Sequence, residues 1–98
     1  MNIIKNENGS ALEVVLEGRL DTVTAPELDN ELKSSLDGVT DLVFNMEKLD
    51  YISSSGLRVL LSTQKIMNSK GSMKITNANE MVMEIFEVTG FADILTIE

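Results

Sequence analysis

The segment LVFNMEKLDYISSSGLRVLL, residues 42–61, joins an apolar run to three consecutive serines and then to a second apolar run. Within residues 41–49 the apolar side chains follow one another closely, as they do in a strand that is covered on both faces. We therefore predict that this stretch is the central strand of a sheet. After the serines, Leu57 and Leu60 fall on one side of a predicted helix and Arg58 on the other. The serines should thus lie at the carboxyl end of a strand, where open α/β sheets carry functional sites.

Upstream of this segment the pattern predicts a hairpin and a helix. Residues 12–17 have the period-two alternation of a strand with one buried face. Residues 2–5 are predicted to be its partner, with turn-forming side chains at 6–9. Thr24, followed by Glu27 three positions later, has the pattern of a capping box and predicts the start of the helix.

Downstream, residues 72–76 are predicted to form a short strand. Residues 77–80 repeat the capping pattern before a helix that should end at Gly90, and residues 93–97 are expected either to return as a last short strand or to dock as a tail. This order predicts an α/β fold with a mixed β-sheet, an N-terminal hairpin and helices packed mainly on one face.

Length and composition predict a single domain over residues 1–98. A chain of this length with 43% hydrophobic residues can build one core and is too short for two. No apolar run approaches the roughly 20 residues that span a bilayer, and the amino terminus lacks the apolar core of a signal peptide. The absence of cysteine fits a reducing compartment. We therefore expect a cytoplasmic protein without membrane contact, monomeric when free.

The charge is negative overall but unevenly distributed. A formal net charge of -8 argues against nucleic acid as a partner, because phosphate contacts need a basic surface. Residues 51–79 contain no Asp or Glu and four basic side chains, Arg58, Lys65, Lys70 and Lys74. The serine run therefore opens the one basic region of an acidic chain.

Three adjacent hydroxyls need an explanation, because the chain has no histidine that would activate them as nucleophiles. Neither a Gly-x-Ser-x-Gly nor a Gly-x-x-x-x-Gly-Lys spacing occurs, and the acidic residues are scattered rather than grouped as metal ligands. We therefore expect no enzyme activity, no cofactor and no metal. One serine is explained as a helix N-cap, and a helix start also favours an added phosphate. A surface serine here is predicted to be a switch for an external kinase.

Taken together, the motifs resemble the STAS domain of the anti-sigma factor antagonist (anti-anti-sigma factor) family, over essentially the whole chain. LEGRLDTVTAPEL, residues 16–28, resembles the family's Gly-x-Leu-Asp and the helix start after it. Residues 42–61 resemble its strand, its Asp-Ser-Ser-Gly-Leu switch loop and the following helix. IFEVTGFADIL, residues 85–95, resembles its last helix and strand.

The resemblance implies a mixed-sheet domain with about four helices whose function is binding. Family members capture an anti-sigma factor that is also their serine kinase, an ATPase of the histidine-kinase-like class, and thereby free a sigma factor. Phosphorylation of the switch serine abolishes the capture, and a metal-dependent serine phosphatase restores it. The family's switch serine lies two positions before the loop glycine and maps to Ser54.

One position departs from the family pattern, since Ser53 stands where the family usually has Asp. Ser53 and Ser55 are therefore alternate phosphorylation sites. Asp21 matches the Asp of the Gly-x-Leu-Asp loop, which the resemblance places close to the switch serine. A phosphate on Ser54 is expected to oppose an acidic partner surface or to pair with Arg58, four residues on. The expected partner-binding residues are Asp21, Thr22, Ser53, Ser54, Ser55, Gly56, Leu57 and Arg58.

Three alternatives were weighed against this function. An acyl carrier protein is also small, acidic and modified on a serine, but it is all-helical and carries Asp-Ser-Leu, which this chain lacks. A small hydrolase is disfavoured by the missing histidine. Within the family, the alternative is a STAS docking module that regulates a phosphatase, a cyclase or a scaffold complex without a sigma factor.

Overall fold

Five β-strands and three α-helices alternate along the chain in the computed structural model, which describes residues 1–98. The strands are β1 (Asn2–Asn8), β2 (Ala11–Leu20), β3 (Asp41–Asn45), β4 (Leu49–Ile52) and β5 (Ser72–Thr76). The helices are α1 (Ala25–Ser35), α2 (Ser54–Asn68) and α3 (Glu80–Thr89), and a 3-10 turn at Phe91–Asp93 follows α3. The predicted α/β class is confirmed. The α-helices number three rather than about four, because the last helical segment is a single 3-10 turn.

The sheet is mixed, as predicted. Its order is β1-β2-β3-β5, with β4 paired to the last part of β2, and β1 is the one strand that runs antiparallel to its neighbour. The register aligns Val14, Phe44 and Ile75 across three strands, and all three are fully buried. Val43 and Lys74 project to the opposite face, where they are half-buried and exposed. The helices therefore cover mainly one face of the sheet.

The N-terminal hairpin forms, but it turns later than the sequence suggested. β1 extends to Asn8, and the loop is Gly9–Ser10 rather than residues 6–9. Gly9 has a φ of 62°, which glycine adopts without steric cost. The polar residues at 6–8 lie instead on an edge strand that is exposed to water.

The stretch predicted as one central strand, residues 41–49, holds parts of two strands. β3 ends at Asn45, and the Leu49 amide donates to the Met46 carbonyl at 3.0 Å in the turn before β4. Met46 and Leu49, on either side of this turn, are both buried, whereas Glu47 and Lys48 within it are exposed. β3 does lie between β2 and β5, as predicted, but its second face is only half covered.

β2 also runs further than residues 12–17. A bulge between Gly18 and Arg19 shifts its pairing from β3 to β4, and Gly18, at φ 102°, donates its amide to the Lys48 carbonyl at 3.0 Å. Leu20, at the end of β2, pairs with Ile52, at the end of β4. The carboxyl ends of two parallel strands are therefore side by side.

The C-terminal region differs from the prediction in its last element. Asn79 caps α3, its side chain accepting the Val82 amide at 2.9 Å, and Gly90 ends the helix with a φ of 81°. The strand expected at residues 93–97 is reduced to a single bridge between Ile75 and Ile97. The 3-10 turn occupies the start of that range, and the residues after it dock beside β5, where the Ile75 amide donates to the Thr96 carbonyl at 2.8 Å.

The apolar stripes of the helices close the core. Leu28 of α1 and Leu57 of α2 belong to one cluster of 22 buried hydrophobic residues. α1 and α2 pack against each other, and the Lys70 ammonium donates to the Leu36 carbonyl just after α1. None of the helices combines the length and the apolar character that a membrane span requires.

Candidate functional site

The pairing of β2 with β4 brings two loops together. The Ser53 amide donates to the Leu20 carbonyl at 2.8 Å, so the serine run starts beside the last residue of β2. Residues 21–24, which connect β2 to α1, therefore lie next to the start of α2. Thr22 Oγ1 and Ser55 Oγ are 3.5 Å apart across this junction.

The loop after β2 is held by Asp21. One oxygen of its carboxylate accepts the amides of Val23 and Thr24, each at 3.0 Å. The Thr24 hydroxyl accepts the Asp21 amide at 2.8 Å and donates to the Arg19 carbonyl at 2.8 Å. The predicted capping box at Thr24 is therefore wrong: its hydroxyl is engaged within the loop and makes no bond to a helix amide.

These bonds favour the ionised form of Asp21. The amide of Thr24 holds the pKa of the Asp21 carboxyl below its ordinary value of 3.8, aided by the Val23 amide, the Thr24 hydroxyl and the charge of Arg19. Partial burial opposes the shift. Asp21 is thus the residue that shapes the loop, and its contribution depends on its charge.

Replacing Asp21 by asparagine is expected to destabilise the protein in a pH-dependent way. Because the folded-state pKa lies below the unfolded one, the carboxylate contributes stability above pH 3.8 and loses it as the pH falls through the folded value. In urea unfolding from about pH 6 to pH 2, the free energy of unfolding of the parent should therefore exceed that of D21N at the higher pH, and the difference should disappear in acid. A difference of constant size would contradict the assignment.

The three serines have three different environments. Ser53 is the N-cap of α2, and its hydroxyl accepts the Gly56 amide at 3.4 Å. Ser55 is half-buried against Thr22. Ser54 is exposed, and its hydroxyl makes no hydrogen bond within the chain. Of the three, Ser54 is the hydroxyl that an external enzyme reaches without breaking a contact.

Gly56 and Leu57 were predicted to bind a partner, but both are buried. A Cβ on Gly56 would lie 2.7 Å from Leu20 Cγ and 2.9 Å from Ile52 Cγ1, so glycine lets α2 start tightly against the ends of β2 and β4. The Leu57 side chain is 4% exposed and belongs to the core. These two residues position the serines by packing in the core below them, and they are not exposed to a partner.

The remaining predicted residues share one surface with a residue that the sequence did not single out. Val23 is 79% exposed in the loop beside Thr22. A lone valine within a polar loop gave no periodic signal from which to predict it. We call this surface the switch face; its members are Asp21, Thr22, Val23, Ser53, Ser54, Ser55 and Arg58.

An open cleft of about 340 Å³ between α1 and α2 borders the switch face. Its lining residues are Thr22, Ala25, Pro26, Asp29, Ser55, Arg58, Val59 and Ser62. Ser62 lies one turn after Arg58 on α2, and the residues from α1 line the cleft because the two helices pack against each other. No three acidic side chains of the chain lie close enough to hold a metal ion.

Comparison with known proteins gives one family. The family model described as STAS domain matches residues 2–98. The anti-sigma-B factor antagonist of Bacillus subtilis (strain 168) is 30% identical over 98 residues, which are 99% of this chain and 90% of that protein.

Solved structures share the fold at lower identity. The anti-sigma factor antagonist SpoIIAA in its unphosphorylated form superposes with a TM-score of 0.85 at 18% identity, over 99% of this chain and 88% of that one. The Bacillus cell fate determinant SpoIIAA in the phosphorylated form gives a TM-score of 0.77 at 17% identity, over 99% of this chain and 91% of that one.

Proposed function

The chain belongs to the STAS domain family, and we propose that it is an anti-sigma factor antagonist that works by partner switching. The observation that carries the proposal is Ser54, an exposed and unbonded hydroxyl at the start of α2 beside the Asp21 loop. The match to an anti-sigma-B factor antagonist along nearly the full length of both proteins supports it.

In this proposal the unphosphorylated protein binds an anti-sigma factor through the switch face. The anti-sigma factor is a serine kinase of the histidine-kinase-like ATPase class, and it releases its sigma factor on binding this protein. Phosphorylation of Ser54 ends the binding, and a metal-dependent serine phosphatase restores it. The protein itself is not an enzyme, and it acts in the cytoplasm, where sigma factors meet RNA polymerase.

The proposal assigns the switch to Ser54 rather than to its neighbours. The Ser53 hydroxyl already accepts the Gly56 amide and the Ser55 hydroxyl already contacts Thr22, so modification of either would rearrange an existing contact, whereas Ser54 has none to rearrange. Serine is a good N-cap, so Ser53 keeps the structural part of the role of the aspartate usual at this position. What Ser53 does not supply is the negative charge.

The test is a reaction of the purified protein with the anti-sigma factor ATPase of its own host and with ATP, followed by peptide mass spectrometry. We expect one phosphate, on Ser54, and none in the S54A variant. The S53A variant should still be modified, because Ser53 acts as a cap. A phosphate on Ser53 or Ser55 would contradict the assignment to Ser54. A chain that binds the ATPase and stays unmodified would also contradict it and would favour the docking-module alternative.

A further inference from the structure

Arg58 is the one basic side chain of the switch face, and it has no partner in the chain. Of the eight lysine and arginine side chains, five form ion pairs with carboxylates and Lys70 donates to a carbonyl. Arg58 and Lys65 do neither. Lys65 lies seven residues further along α2, so Arg58 is the free cation that is next to the serines.

We infer that Arg58 holds the phosphate of a phosphorylated Ser54 in an ion pair within α2, an inference that rests on the proposed modification of Ser54. The two residues are four apart in the helix and both are exposed. Side chains of a helix lean toward its N-terminus, which directs Arg58 toward Ser54. A guanidinium binds phosphate through two parallel hydrogen bonds, whereas lysine offers a point charge.

None of the neighbouring carboxylates is paired with Arg58. Asp29 of α1 lines the same cleft, but it pairs with Lys33 at 3.0 Å. Asp21 pairs with Arg19 at 3.8 Å and accepts two amides. Asp50 of β4 is exposed to solvent and contacts no cation. A phosphate on Ser54 therefore meets a guanidinium that no carboxylate of the chain already holds.

The ion pair changes what the switch face offers to a partner. Before modification the cleft presents a free guanidinium beside the hydroxyls of Thr22, Ser55 and Ser62, a set that suits a carboxylate side chain. After modification Arg58 is occupied, and the pair with a phosphate of about -2 leaves a net charge of about -1. The phosphate therefore acts twice: it adds negative charge and it withdraws the cation on which an acidic side chain of the partner would dock.

The test uses protein in which phosphoserine is installed at position 54 during translation, so that no kinase is needed. The second pKa of the phosphate, ordinarily near 6, is measured by ³¹P NMR titration. We expect the parent value to lie about 0.5 below that of R58Q, because the guanidinium favours the dianion. K65Q, with the same charge change on the same helix, should leave the pKa within about 0.1 of the parent.

Equal pKa values in the parent and R58Q, or equal shifts in R58Q and K65Q, would overturn the inference. R58K separates charge from geometry and should give an intermediate pKa. The outcome is independent of the proposed function: a shift that depends on Arg58 upholds the ion pair even if no kinase modifies Ser54. A kinase that modifies Ser54 without any such shift upholds the switch and rejects the ion pair.

Discussion

Replacing Ser54 by aspartate should weaken binding to the anti-sigma factor about 100-fold, measured by titration calorimetry. Ser54 lies exposed at the centre of the switch face, where a new negative charge meets the partner directly. Like charges brought together at an interface cost several kcal/mol, and about 2.8 kcal/mol is a factor of 100 in affinity. The S54A variant removes an unbonded hydroxyl and should stay within about threefold of the parent.

The control for this prediction is S69D, which adds the same charge at the far end of α2. Ser69 is exposed and follows the last residue of the helix, so its substitution changes the net charge without touching the switch face. We expect its affinity to match that of the parent. If S54D and S69D weaken binding equally, the effect comes from net charge, and the local mechanism is wrong.

The largest effect on folding is expected from Gly71→Ala, which should destabilise the protein by about 3 kcal/mol or more. A Cβ at Gly71 would lie 1.9 Å from the Thr40 carbonyl oxygen. That carbonyl accepts the Ser72 amide at 2.8 Å, and the Thr40 amide donates to the Ser10 carbonyl at 2.9 Å. Relief of the clash therefore requires movement of backbone that joins β3 to β5 and to the hairpin.

Gly38→Ala is the matched control. Gly38 also lies in a connection, with a φ of 78° and no atom within 4 Å of the added Cβ. Gly38→Ala should lower the free energy of unfolding by about 1 kcal/mol, because alanine is strained in the left-handed conformation. Chemical unfolding of the two variants should thus differ by about 2 kcal/mol, and equal stabilities would mean that the contact with Thr40 does not constrain the fold.

The sequence predicted those elements whose signals are local. The alternation in β2, the apolar spacing in α2 and a helix start within residues 77–80 each depend on neighbours along the chain, and each was found near its expected place, although the cap is Asn79 and not Asn77 as a capping box with Glu80 requires. The sequence did not predict the break at residues 46–48, because the apolar Met46 and Leu49 flank it closely; the charged pair Glu47 and Lys48, exposed in the turn, is the signal that could have indicated it.

The site was predictable only in part, for a related reason. The serine run and the Asp21 loop could be recognised in the sequence, but the bulge at Gly18, which brings them together, depends on a pairing with β4 that no local pattern indicates. Similarly, Thr24 has the sequence of a cap, yet a tertiary contact decides its role: its hydroxyl serves the Asp21 loop. The exposure of Val23 and the contribution of α1 to the cleft depend on the tertiary structure and could not be predicted from the sequence.

The most direct test of the switch is mass spectrometry of the protein purified from its native host, before and after treatment with a phosphatase. We expect a fraction of the intact chains to carry one phosphate, which peptide analysis places on Ser54 and the phosphatase removes. A protein that carries no phosphate under any growth condition, and gains none with the anti-sigma factor kinase of its host and ATP, would contradict the switch and indicate a constitutive binding module.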